Sequence, residues 1–92
     1  MKTTIWKFRL PIQDEALIEM PRGSVPLSVG AQLGELCLWA RVPLDSGDNV
    51  IRRYRIYGTG NPGPSKAIEE YLGTVQIPPF VWHVFDLGLV NQ

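Results

Sequence analysis

Hydrophobic and polar positions alternate along most of this chain. Over residues 4–10, Trp6, Phe8 and Leu10 fall on one side and Ile5, Lys7 and Arg9 on the other. That period of two marks a half-buried strand. Pro11 lacks an amide donor and ends or edges it. Asp14, Glu15 and Ala16 read as a polar loop, and residues 17–20 as a short second strand closed by Pro21 and Gly23. The clearest stretch is residues 25–42. Val25, Leu27, Val29, Ala31 and Leu33 alternate, and after them Leu36, Leu38, Ala40 and Val42, with Cys37, Trp39 and Arg41 on the opposite face. This predicts a hairpin whose tight turn is Gly34-Glu35, glycine supplying the positive φ. Residues 50–57 form another strand candidate, with Arg52, Tyr54 and Ile56 on one face and Ile51, Arg53, Arg55 and Tyr57 on the other.

After a glycine- and proline-rich stretch, residues 65–71 predict a short helix with Ser65 as its N-cap. Residues 74–77 predict a strand that Pro78-Pro79 breaks. Residues 80–85 are apolar on both faces apart from His83, which suits a central strand. Residues 88–92 have little to anchor them. The expectation is an all-β, mainly antiparallel fold, a small sandwich or partly open barrel of six to seven short strands with one helix near residues 65–71.

The chain has 92 residues, which suits a single domain spanning residues 1–92. Nine basic residues balance nine acidic ones, so no overall positive excess draws in nucleic-acid backbones, and general nucleic-acid binding is not expected. Any anion site must come from local charge. Cys37 is the only cysteine, so no intramolecular disulfide staples the fold, in keeping with a reducing compartment. No apolar run reaches the length of a membrane span, and no membrane partner is expected.

Gly58-Thr59-Gly60-Asn61-Pro62-Gly63 matches G-x-G-x-x-G. That motif holds a pyrophosphate only where a helix begins inside it. Pro62 and Pro64 delay any helix, so a rigid turn is the expectation. Arg53, Arg55 and Tyr57 share a strand face beside Gly58 and Gly60 and form the best candidate for a ligand or partner surface. Guanidinium groups grip phosphate or carboxylate, and tyrosine rings can stack on a base. The competing reading is an exposed face whose arginines pair with acids. Trp39, on one face with Arg41, is a candidate interface residue, since tryptophan is enriched in interfaces; Trp6 and Trp82 are expected in the core. His83 has no carboxylate on its own face, Asp86 lying on the other, and reads as packed or interfacial. Cys37 reads as a buried thiol. No catalytic constellation emerges, nothing calls for a cofactor or a metal, and an enzyme is not expected.

Ile5-Trp6-Lys7-Phe8, Cys37-Leu38-Trp39-Ala40, the run from Tyr54 through Arg55-Ile56-Tyr57-Gly58-Thr59-Gly60, and His83-Val84-Phe85 occur in this order. In these motifs the chain resembles, over nearly its whole length, a family of short phage and prophage proteins of unknown function. The resemblance implies a phage gene acting in the host cytoplasm. By analogy with such genes, the leading expectation is a stoichiometric inhibitor of a host bacterial protein, in particular a defence component. One alternative is a homo-oligomeric sponge that sequesters a nucleotide-like signal through Arg53, Arg55 and Tyr57. Another is a minor virion or assembly protein.

Overall fold

A computed structural model describes residues 2–63 and 70–90. Seven strands follow one another: β1 Thr3–Arg9, β2 Glu15–Pro21, β3 Val25–Gln32, β4 Glu35–Pro43, β5 Asn49–Gly58, β6 Glu70–Ile77 and β7 Phe80–Leu89. They form two sheets, a three-stranded one in the order β1-β4-β3 and a four-stranded one in the order β2-β5-β7-β6. Every pairing is antiparallel. The all-β, mainly antiparallel sandwich expected from the alternation is therefore the fold.

The core forms where the inner faces meet. Leu36, Leu38, Ala40 and Val42 of β4 are all buried, as their alternation requires. Against them stand Ala16 and Met20 of β2, Val50, Tyr54 and Ile56 of β5, Val75 of β6 and Val84 of β7. Leu10 follows β1 into this core, its amide donating to the Leu36 carbonyl.

The sheets close along one side only. There β3 and β6 pack edge to edge, and a Cβ on Gly73 would lie 2.8 Å from Val29 Cγ2. On the other side β1 and β2 stand apart. A cleft of about 290 Å³ between them is lined by Trp6, Phe8, Met20 and Pro43 among others. Trp6 points inward from β1 yet is 45% exposed, so it forms a cleft wall rather than the core residue expected. Trp82 does pack against the core.

Several local expectations need correction. The hairpin turn is Leu33-Gly34, not Gly34-Glu35. Both residues have positive φ, 53° and 78°, as a two-residue turn matched to strand twist requires. Leu33 is 95% exposed, so the alternation of β3 stops before it. Glu15 and Ala16 belong to β2 rather than a loop, with Ala16 fully buried opposite Tyr54. Of the helix expected at 65–71, residues 65–69 lie outside the described residues, while Glu70 and Tyr71 begin β6. Of the C-terminal stretch, residues 88–90 are anchored, since β7 runs to Leu89 and the Val90 amide donates to the Ile51 carbonyl, while residues 91–92 lie outside the described residues. Register shifts at Leu27, Leu72 and Leu87 each insert a residue into a ladder, which switches the facing of the strand beyond it.

Candidate functional site

The outer face of the four-stranded sheet gathers most of the chemistry. Period two along β5 sends Arg53, Arg55 and Tyr57 outward, while Tyr54 and Ile56 go to the core. Register then sets their neighbours. Glu15 of β2 lies opposite Arg55, and Phe85 of β7 lies opposite it on the other side. Tyr71 of β6 continues the row beyond Phe85. The Phe85 ring meets Tyr57 edge-on at 5.5 Å and Tyr71 at the same centroid distance. Three aromatic rings thus cross β5, β7 and β6 side by side.

The arginines beside them are engaged. Glu15 accepts from Arg55 Nη2 through Oε2 and faces Arg53 Nε through Oε1 at 3.8 Å. Arg55 is only 4% exposed. Burial alone would lower the proton affinity of its guanidinium, but the side chains of Tyr57 and Glu15 outweigh that and hold it above its ordinary value. The reading in which these arginines pair with acids therefore applies to both, through one carboxylate.

The next row carries a polar network. His83 lies opposite Tyr57 and opposite Thr74. Its Nε2 lies 2.6 Å from Thr59 Oγ1 and its Nδ1 3.0 Å from Thr74 Oγ1, and Thr74 in turn hydrogen-bonds the Tyr71 hydroxyl. Two hydroxyls thus fix the imidazole plane. Asp86 points to the inner face, paired opposite Tyr54, so it cannot orient this histidine.

The glycine loop is a turn. The Thr59 amide donates to the Val81 carbonyl and the Asn61 amide to Gly58, so neither is free to cradle a phosphate. Gly63 lies against the Tyr57 ring, where a Cβ would come within 2.2 Å of Cε1. Gly60 sits in the turn with φ +84° and open space around it.

Trp39 and Arg41 do not join this site. They lie on the outer face of the three-stranded sheet, at the other side of the molecule. Of the residues singled out from the sequence, Arg53, Arg55, Tyr57, Gly58 and Gly60 come together and these two stand apart.

Residues 1–91 match a family model described as Domain of unknown function (DUF7352). The chain belongs to this family. No curated protein and no solved structure matches it. Within this DUF7352 member, sequence reasoning missed Glu15, Tyr71, Thr74 and Phe85 as site residues. Phe85 and His83 alternate visibly along β7, and that signal was readable. Tyr71 was hidden by the helical reading of its segment, and Glu15 by its place among polar neighbours. Among the described residues, no His, Cys, Asp and Glu gather in threes to hold a metal ion, and no helix is long and apolar enough to cross a membrane.

Proposed function

We propose that this protein acts by binding another protein against the outer face of its four-stranded sheet, and not by catalysis. The observation that carries the reading is the Tyr57–Phe85–Tyr71 row, with Tyr71 57% exposed at its end. Exposed Leu17 lies on the same face, opposite Arg53. Aromatic anchors ringed by held polar groups are what interface hot spots use. His83, fixed by two threonine hydroxyls, supplies a polar neighbour that needs little ordering on binding, and Glu15 holds the buried Arg55 beneath the row.

The phage origin suggested by the sequence motifs extends the proposal. The partner is then a host bacterial protein, a defence component, and binding at one-to-one stoichiometry blocks it in the host cytoplasm. The nucleotide-sequestering alternative is less well supported, because Glu15 already engages both arginines and the amides of Thr59 and Asn61 already donate to backbone carbonyls.

The test compares immobilised wild type with Tyr71→Ala combined with Leu17→Ser in bacterial lysate. Wild type should retain one protein at equal stoichiometry and the variant should lose it while still melting in one cooperative transition above the assay temperature. A partner held equally by both, or a nucleotide released from denatured wild type with no protein partner, would refute the reading.

A further inference from the structure

The even balance of charge hides an uneven distribution. The strands of the three-stranded sheet carry Lys7, Arg9 and Arg41 against a single carboxylate, Glu35. Those of the four-stranded sheet carry Arg52, Arg53 and Arg55 against Glu15, Glu19, Glu70 and Asp86. Among the described residues, neither Lys7 nor Arg41 forms an ion pair. Arg9 is joined to Glu35 at 3.1 Å, and Lys7 donates to the Gln32 amide oxygen.

Pairing puts these cations on one face. Lys7 lies directly opposite Trp39, whose other neighbour is Ser28; Arg41 lies opposite Ile5 and Val25; Arg9 lies opposite Cys37. Trp39 therefore sits on the central strand with Lys7 beside it and Arg41 two residues along on the same face. Gly30 gives the ring its seat: a Cβ there would stand 3.2 Å from Trp39 Cζ3. The benzo edge of the indole thus meets bare backbone at Gly30, and the side chain stays partly exposed. Exposed Ile5 and Val25 flank Arg41 on the same face.

We infer that this face is a second binding surface, independent of the aromatic row on the other sheet, and that it takes single-stranded nucleic acid. A partly exposed indole offers a ring on which any base can stack, and cations at its sides meet the phosphates of the same strand. An acidic peptide would match the charge but leave the indole without a stacking partner. Recognition is independent of base sequence, because no amide or carboxylate on this face other than Gln32 and Glu35 reads base edges, and those two are already bonded to Lys7 and Arg9.

The experiment is fluorescence anisotropy with a fluorescein-labelled oligothymidylate of about 15 nucleotides, repeated with oligouridylate. The expected dissociation constant is about 1–100 µM at moderate salt. Lys7 and Arg41, the two cations without an ion pair, give a log–log salt slope of about −1.4 between roughly 50 and 200 mM. Lys7→Gln with Arg41→Gln, two surface changes, should abolish measurable binding. Trp39→Ala should weaken binding by about tenfold or more, and Trp39→Phe should keep most of it. Tyr71→Ala on the other sheet should leave binding as it is. No anisotropy change with wild type would overturn the inference. So would binding that survives the double cation variant, or equal displacement of the oligonucleotide by an oligoglutamate, which would assign the face to acidic peptides.

Discussion

Asp86 is the residue whose loss should be felt most. Its side chain is 4% exposed, and its Oδ2 accepts from Arg52 Nη2 at 3.0 Å. Oδ1 accepts from the Gly88 amide at 2.7 Å, beside the register shift at Leu87. Asp86→Ala would strand the Arg52 guanidinium at the edge of the core and leave the Gly88 amide without its acceptor. Breaking a buried pair by removing one partner costs about 3–5 kcal/mol. Arg52 remains 21% exposed, so water relieves part of its charge and the ion-pair share belongs at the lower end. The orphaned amide adds about 1 kcal/mol or more. A total of about 4 kcal/mol is a large part of the ~5–14 kcal/mol expected for a domain this size. It corresponds to a fall in melting temperature of roughly 15–30 °C.

Asp86→Asn keeps an acceptor for Gly88 and should cost less, about 2–3 kcal/mol. Arg52→Met with Asp86→Leu removes both charges and should lie within about 1–2 kcal/mol of wild type. Urea unfolding followed by tryptophan fluorescence gives all of these values, with the m-value as a check that the unfolding transition itself is unchanged. A cost below about 1 kcal/mol for Asp86→Ala, or a double variant worse than either single, would refute the reasoning.

Other expectations follow from single positions. Gly73→Ala should cost about 1–3 kcal/mol by overpacking against Val29, and Val29→Ala should restore most of it, both read by urea denaturation. Leu33→Asn should stabilise by about 0.5–1 kcal/mol, because asparagine tolerates the left-handed turn position better, and melting temperature reads the gain. The phenol of Tyr54 is pushed well above its ordinary value, first by burial and next by the charge of Asp86, with Arg52 pulling more weakly the other way. The unfolded chain therefore releases this proton first as pH rises past about 10. Stability should be intact below that pH and fall above it by up to about 1.4 kcal/mol per pH unit from this group, a slope that Tyr54→Phe removes.

The strands and their inward faces were legible because period two is a strong signal where one face is buried. Leu36, Leu38, Ala40 and Val42 declare the core side of β4, and Arg53, Arg55 and Tyr57 the outer side of β5. What stayed hidden depends on pairing between distant segments. Nothing local says that Glu15 will face two arginines some forty residues on, or that an inserted residue at Leu27 sends Val25 outward. Trp6 reads as core because its strand alternates correctly; its exposure follows from β1 and β2 standing apart, a property of the sheets and not of the strand. The helix expected after Ser65 rested on propensity, which pairing with β7 overrides at Glu70 and Tyr71. The candidate site was half legible for the same reason: its β5 residues follow from alternation, while Tyr71 and Glu15 arrive through register.

The contact of Gly73 with Val29 binds the two sheets along one margin, like the spine of a book, while the β1 and β2 margins are unbound. Breathing of such a structure swings the free margins most and the spine least. Deuterium should accordingly enter the amides of β1 and β2 before those of β3 and β6. The cleft beside Trp6 is then a gap whose width fluctuates. A molecule that gripped both free margins would act as a clasp, slowing exchange even in strands it never touches.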